Sequence, residues 1–169
     1  MSEPEPASEA PESVVVEETG AGRYQVEVRA GGSSFLVDEP VSFGGLGSGP
    51  NPYDLLSAAL GACTAMTLRL YADRKSWPLE RVEVLVNHVR AGLGARDRFN
   101  REIRLDGPLD ADQRARLLEI ANRCPVHGTL ERGADVQTTL AAFEPPPADV
   151  EEGQHMRDMC EACVDLGGA

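Results

Sequence analysis

The sequence predicts a domain of mixed helix and antiparallel strand, and three observations carry that reading. Tyr24, Val26 and Val28 alternate with Gln25, Glu27 and Arg29, the period-two pattern of a half-buried strand. From Tyr53 to about Lys75 runs one long stretch with almost no polar stripe, opened by Asn51-Pro52 and closed off by Pro78, which reads as a single helix. Val82, Val84 and Val86, then Phe99, Ile103 and Leu105, mark two further strands on either side of a turn at Ala91–Asp97. As a hairpin these two strands are antiparallel.

In chain order, Ser13–Glu18 opens with β-branched residues and reads as a first strand. Gly20-Ala21-Gly22 and Gly31-Gly32 are turns around the alternating strand, and Phe35–Asp38 returns as a third, which makes a meander. Pro40 to Pro50 is glycine-rich but lacks both the Gly-Lys-Ser/Thr ending of a phosphate loop and dinucleotide-loop spacing. It reads as a connection that needs positive φ. The helix after it is apolar nearly all round, so it is expected to be buried nearly all round, by other elements or by a second subunit. Its apolar positions include Leu55, Leu56, Leu60, Met66 and Leu68. Asp110 caps a second helix to about Asn122, with Ala111, Ala115, Leu118 and Ala121 on one side. Val136, Thr138 and Leu140 suggest a last strand before Pro145-Pro146-Pro147. The expected organisation is a disordered acidic segment (1–12), one folded domain (13–143) and an acidic tail (144–169).

The chain has 169 residues and a formal net charge of -12, from 16 Lys+Arg and 28 Asp+Glu. The charge is uneven. Residues 1–18 hold six acids and no base, residues 144–169 hold seven acids and one base, and the stretch between balances at 15 of each. An acidic chain with a neutral middle argues against nucleic acid and anionic membranes as partners. No apolar run looks long enough to span a bilayer, and Met1 to Ala10 lacks the order of a signal peptide. The expectation is a cytoplasmic, reducing address, in which four cysteines are thiols, ligands or redox groups rather than structural disulfides. The preference for Arg over Lys (only Lys75) reads as codon bias.

Cys63 lies mid-helix among Leu56, Ala59, Leu60, Met66 and Leu70, the setting of an inert buried thiol unless a cation reaches it from another element. Cys124, in Arg123-Cys124-Pro125-Val126-His127, sits at a helix break, because the residue before proline is pushed out of the helical region. It is either a helix-end thiol without a role or a thiolate favoured by Arg123 and His127. Two such thiols suit a two-cysteine peroxidase, in which one is oxidised to a sulfenic acid and the other condenses with it to a disulfide.

Gly49-Pro50-Asn51-Pro52-Tyr53-Asp54-Leu55-Leu56, followed by Ala58-Ala59-Leu60-Gly61-Ala62-Cys63, resembles the first-cysteine helix of the OsmC/Ohr family of bacterial hydroperoxide-detoxifying proteins. Cys124-Pro125 resembles its second-cysteine motif, and the resemblance covers roughly residues 14–143. It implies an α+β fold with two central helices wrapped by antiparallel sheets, completed in an intertwined homodimer. It also implies reduction of organic (alkyl or lipid) hydroperoxides by Cys63 as peroxidatic and Cys124 as resolving cysteine. An external dithiol, lipoyl groups included, would be the reductant, with no bound cofactor and no metal. Peroxidase members of the family carry a glutamate after Asn-Pro that holds a catalytic arginine. Here Tyr53 stands in that place and Asp54 is the nearest acid, re-aimed by about 100° on a helix. Arg23, after the glycine turn, matches the arginine best, with Arg29 as the fallback. An alternative reading is an OsmC-like small-molecule-binding or redox-sensing protein with little turnover.

The tail holds His155, Cys160 and Cys163, which read as an exposed tail, a three-ligand set short of a structural zinc site, or an internal dithiol. His88 reads as a structural strand histidine, His127 as a modulator of Cys124, and Tyr71 and Trp77 as packing residues closing the long helix.

Overall fold

In the computed structural model, residues 14–92, 94–140 and 154–164 are described. The expected disordered segment 1–12 and the prolines 145–147 lie outside the described residues. The chain divides into two compact units, one running to Asn51 and taking in Val136–Gln154, the other Pro52–Asp135 with the residues from His155 on.

The first unit holds an antiparallel meander, β1 (Val15–Glu18), β2 (Val26–Ala30) and β3 (Ser33–Val37), in the order β1-β2-β3. Val28 stands opposite Val16 on one side and Phe35 on the other. Gly31 and Gly32 turn the chain with φ of 53° and 73°, a region costly for residues with a Cβ. The glycine-rich loop is organised around buried Asp38. Its carboxylate accepts from the Glu39 amide (2.8 Å), the Leu46 amide (2.9 Å) and the Ser48 amide (3.3 Å) and hydroxyl (2.9 Å). Burial alone would raise the Asp38 pKa, but these hydrogen bonds outweigh it and hold the group below its ordinary value. A Cβ on Gly45 would lie 1.9 Å from the Glu39 carbonyl oxygen, so the loop needs glycine there for close approach as well as at Gly44 and Gly47 for positive φ.

The second unit holds α1 (Pro52–Arg74), the hairpin β4 (Arg81–Val89) and β5 (Arg98–Asp106), α2 (Ala111–Ala121), α3 (Pro125–Arg132) and α4 (Gln154–Val164). The hairpin is antiparallel, as expected, with Val82 facing Leu105, Val84 facing Ile103, Val86 facing Arg101 and His88 facing Phe99. These eight positions are the half-buried face, and their strand neighbours are exposed. α1 packs on β4, α2 and α3. One core joins α1 and α2 through Leu68, Tyr71, Ala72, Leu117, Ile120 and Ala121; a smaller one joins Leu60, Cys63 and Cys124. Asp110 caps α2 in a reciprocal capping box with Gln113.

Five expectations change. α1 is, by length and composition, apolar enough to cross a bilayer, against the reading that no run is; here its packed face makes it a core helix of this unit. That helix is not covered all round: Leu56 and Met66 are exposed in the single chain. On α2 Ala121 is buried as expected, but it is joined there by Leu117 and Ile120 and not by Leu118, which is 60 % exposed, because the stripe that meets α1 is rotated from the one inferred. Val136, Thr138 and Leu140 form no strand and are exposed, since none of the strands among the described residues pairs with them. The tail is not exposed throughout, since α4 docks within the second unit with Met159 only 2 % exposed and Arg74 Nη1 donating to the Cys160 carbonyl (3.2 Å).

Candidate functional site: a buried dithiol beside an arginine

Cys63 sits on the packed face of α1, and Cys124 is brought to it by a helix break. Asn122 ends α2, and Pro125 starts α3 with a ring preset for the first helical turn. Cys124 is therefore the N-cap of α3, in extended conformation, and its sulfur accepts from the His127 amide at 3.3 Å. The two thiols, 61 residues apart, meet in one apolar cluster with Leu60, against Val86, Phe99, Val126 and Leu130. Both are free thiols and nearly sealed, at 2 % and 1 % exposure.

The two thiols adjoin in that cluster and their ionisations are linked. The Cys63 neighbour holds Cys124 well below the usual thiol range, aided against burial by the His127 amide, the Thr64 hydroxyl and the Arg101 charge. The Cys124 neighbour, with burial, pushes Cys63 up, against the Val126 amide. The polar contacts to sulfur, from the His127 amide at 3.3 Å and the Thr64 hydroxyl at 3.6 Å, both go to Cys124, which places a thiolate there rather than on Cys63.

Arg101 and Thr64 complete the site. Thr64, one residue after Cys63, has its hydroxyl 2.7 Å from the Leu60 carbonyl and 3.6 Å from the Cys124 sulfur. Arg101 on β5 donates through Nη1 to that hydroxyl (2.8 Å) and to the Ala121 carbonyl (2.9 Å), and through Nη2 to Asn122 Oδ1 (2.8 Å). It thus ties the end of α2 to α1 at the point where the chain turns to present Cys124. Sequence reasoning missed Arg101, although a signal existed. Among the inward positions of β4 and β5 (Val82, Val84, Val86, His88, Phe99, Arg101, Ile103 and Leu105), Arg101 is the one fixed cation on an otherwise apolar or aromatic face.

An opening of about 530 Å³ exposes this corner, lined by Cys124 with Arg123, His127 and Arg132 on one side and by Asp158 and Glu161 of α4 on another. A smaller one of about 150 Å³ lies between Leu60, Phe99, Leu130, Asp97 and His127. His127 Nε2 is 3.4 Å from Glu131, while it is the His127 amide that reaches Cys124.

A second polar cluster forms at the start of α1. Arg90 donates to the Tyr53 hydroxyl and, through Nε and Nη2, to Asp97 at 2.7 and 2.9 Å. His88 Nε2 lies 2.7 Å from Asp97. The residue in the glutamate's place is thus already engaged with an arginine, just past the end of β4. Asp54 is exposed in the first turn of α1, where an acid suits the helix dipole. Arg23 belongs to the first unit, exposed, with its guanidinium 5.5 Å from the Tyr24 ring centroid. Arg29 is bound to Glu17 and Glu27, both at 3.0 Å. In the tail, Cys160 is half-buried, and the Cys163 side chain lies outside the described residues. No cluster of three or more metal-binding side chains occurs among the described residues.

The fold and the site define an α+β protein with a buried helix-to-helix dithiol. The chain belongs to the OsmC-like protein family, whose pattern it matches over residues 45–139, taking in both Cys63 and Cys124. Solved structures agree in fold. A protein of Psychrobacter arcticus superposes with a TM-score of 0.63 at 20% identity, over 72% of this chain and 89% of that one. The OsmC like protein from Mycoplasma pneumoniae gives 0.58 at 20% identity, over 73% and 87%. The organic hydroperoxide resistance protein OsmC from Legionella pneumophila gives 0.53 at 21% identity, over 72% and 91%. Comparison with curated proteins gave no match.

Proposed function

We propose that this chain is a thiol-dependent peroxidase that reduces organic hydroperoxides through a Cys63–Cys124 cycle, in a reducing, cytoplasmic setting. The observation that carries the reading is the meeting of two buried free thiols from distant parts of the chain in one apolar cluster, with the His127 amide donating to one of them. Cys63 attacks the hydroperoxide oxygen, the O–O bond breaks, and the alkoxide leaves as an alcohol after taking a proton. Cys63 is then a sulfenic acid, Cys124 condenses with it, water leaves, and an external dithiol such as a lipoyl group reduces the disulfide. For Cys63 to attack, the thiolate charge has to move onto it, and Arg23 is the cation proposed to bring it there, with Asp54 as the proposed acid of the pair. The apolar lining from Leu60, Val86, Phe99 and Leu130 favours alkyl or lipid over aqueous peroxides. The exposed face of α1, with Leu56 and Met66, is the surface proposed to close in a homodimer.

Cumene hydroperoxide consumption with dithiothreitol or dihydrolipoamide tests the reading. Cys63→Ser and Cys124→Ser are each expected to lower steady-state turnover at least about tenfold, and an unchanged rate in Cys63→Ser rules the mechanism out. One observation favours a second reading, an OsmC-like binding or redox-sensing protein with little turnover: Tyr53, held by Arg90, occupies the glutamate's place. Mass spectrometry after one equivalent of hydroperoxide separates them, since a Cys63–Cys124 disulfide formed within seconds is incompatible with binding alone.

A further inference from the structure

We propose that Arg101, acting through the Thr64 hydroxyl, is a positioning residue that keeps the charge of the reduced dithiol on Cys124 and so arms Cys124 to close the disulfide. This rests on the two-cysteine reading above only for its last step; the placement of the charge stands on geometry.

The Thr64 hydroxyl has one proton and two nearby acceptors, the Leu60 carbonyl at 2.7 Å and the Cys124 sulfur at 3.6 Å. Its oxygen already accepts from Arg101 at 2.8 Å. When Cys124 is a thiol, the hydroxyl donates to Leu60. When Cys124 ionises, rotation about one bond turns that proton to the sulfur. Arg101 polarises the hydroxyl and sets a fixed positive charge one group away from the thiolate, where the thiol cluster excludes water. The guanidinium is held in place by Ala121 and Asn122, the residues just before the break, so the cation and the sulfur are positioned by the same piece of chain. Cys124 also takes the His127 amide at the start of α3. The charged or titratable groups around it are Cys63 from α1, Arg101 from β5, and Arg123 beside it in the chain. From α3 come His127, Glu131 and Arg132, and from α4 Asp158 and Glu161. Those of α3 and α4 are mixed in sign around the opening, whereas Arg101 alone comes through the inward sheet face.

In the cycle, the Cys124 thiolate attacks the sulfur of the Cys63 sulfenic acid. The S–S bond forms, the S–O bond breaks, and hydroxide leaves and takes a proton to become water; the oxidant was the hydroperoxide. A thiolate ready at rest shortens the life of the sulfenic acid, the species that further peroxide converts irreversibly to sulfinic acid.

Two measurements on the reduced full chain test this. The first is limited iodoacetamide alkylation at about pH 6 with peptide mass spectrometry, where only thiolates react appreciably. Cys124 is expected to be modified before Cys63. Followed against pH, the midpoint of Cys124 alkylation is expected to rise by about one unit in Thr64→Val and in Arg101→Met, and to return in Thr64→Ser. Far-UV circular dichroism checks that each variant is folded, and Thr64→Val, which keeps the side-chain shape and leaves Arg101 in place, decides the matter if Arg101→Met is not. The second measurement is the sulfinic acid yield at Cys63 under excess cumene hydroperoxide, expected to rise in both variants. Modification of Cys63 before Cys124, or a folded Thr64→Val with the wild-type alkylation profile, overturns the inference. If the alkylation pattern holds and wild-type Cys63 forms no disulfide with peroxide, the peroxidase reading fails and the charge placement stands.

Discussion

The phenol ring of Tyr53 stacks on the imidazole of His88, with centroids 4.3 Å apart and planes 9° from parallel. Tyr53 is in the first turn of α1, and His88 is the last inward position of β4. The stack therefore pins the start of the cysteine helix to the end of the hairpin, and Phe99, 4.9 Å from His88, extends it toward the dithiol cluster.

Removing that stack is expected to cost stability without unfolding the domain. Tyr53→Ala should lower unfolding free energy by more than the ~0.5–1.5 kcal/mol of the ring pair alone, since buried ring area is lost with it. Tyr53→Phe, which keeps the ring and loses only the hydroxyl that Arg90 meets, should cost less than about 1 kcal/mol. Urea denaturation of the two variants measures the difference. Equal losses would mean that the hydroxyl, not the ring, holds the helix end.

Asp97 gives the second expectation, in pH. The Arg90 side chain, then His88, holds its carboxylate down to about 2. An unfolded aspartate titrates near ~3.9, so the folded state binds the proton more weakly. The stabilisation is fully present above pH ~4 and is lost as pH falls from there toward about 2. Thermal unfolding across that window is expected to show a shallower acid slope in Asp97→Asn than in the wild type. Parallel slopes would show that the cluster does not contribute.

The third concerns the face of α2. Leu117 is fully buried against α1, and Leu118 is 60 % exposed. Leu117→Ala is expected to cost about 2–5 kcal/mol, from lost transfer energy and the cavity left behind. Leu118→Ala should change stability by no more than about 0.5 kcal/mol. Chemical denaturation of the pair checks both, and a large loss at Leu118 would put the other face of the helix against α1.

Much of the architecture was legible because it is written in local periodicity. The β2 and β4 alternations, the Asp110 cap and the apolar run after Asn51-Pro52 each have one local solution, and the elements formed where those signals lie. α3 was missed because eight residues starting at a proline look like the end of α2 and not like a new helix. The last strand did not form because a strand is completed by its neighbours: three alternating residues have the right pattern, but no ladder among the described residues receives them. Arginine usage, taken as a codon effect, has a structural side as well. Arg69, Arg74, Arg96, Arg101 and Arg114 each donate to backbone carbonyls, which the forked guanidinium can do from two nitrogens at once.

The sequence by itself determined the two thiols, the helix that carries the first and the proline break that frees the second, because those depend on residues adjacent in the chain. It also determined the family. What only the tertiary structure decided is which charges stand beside the thiols. Arg101 is 37 residues from Thr64 and 20 from Ala121, and strand register at β4–β5, set by side chains on the whole hairpin, brings it to Cys124. Electrostatics in a buried site depends on distance and exclusion of water, and neither is encoded locally. The local arginine and histidine next to Cys124 looked like its partners; the folded chain supplies the polarising cation from across the sheet.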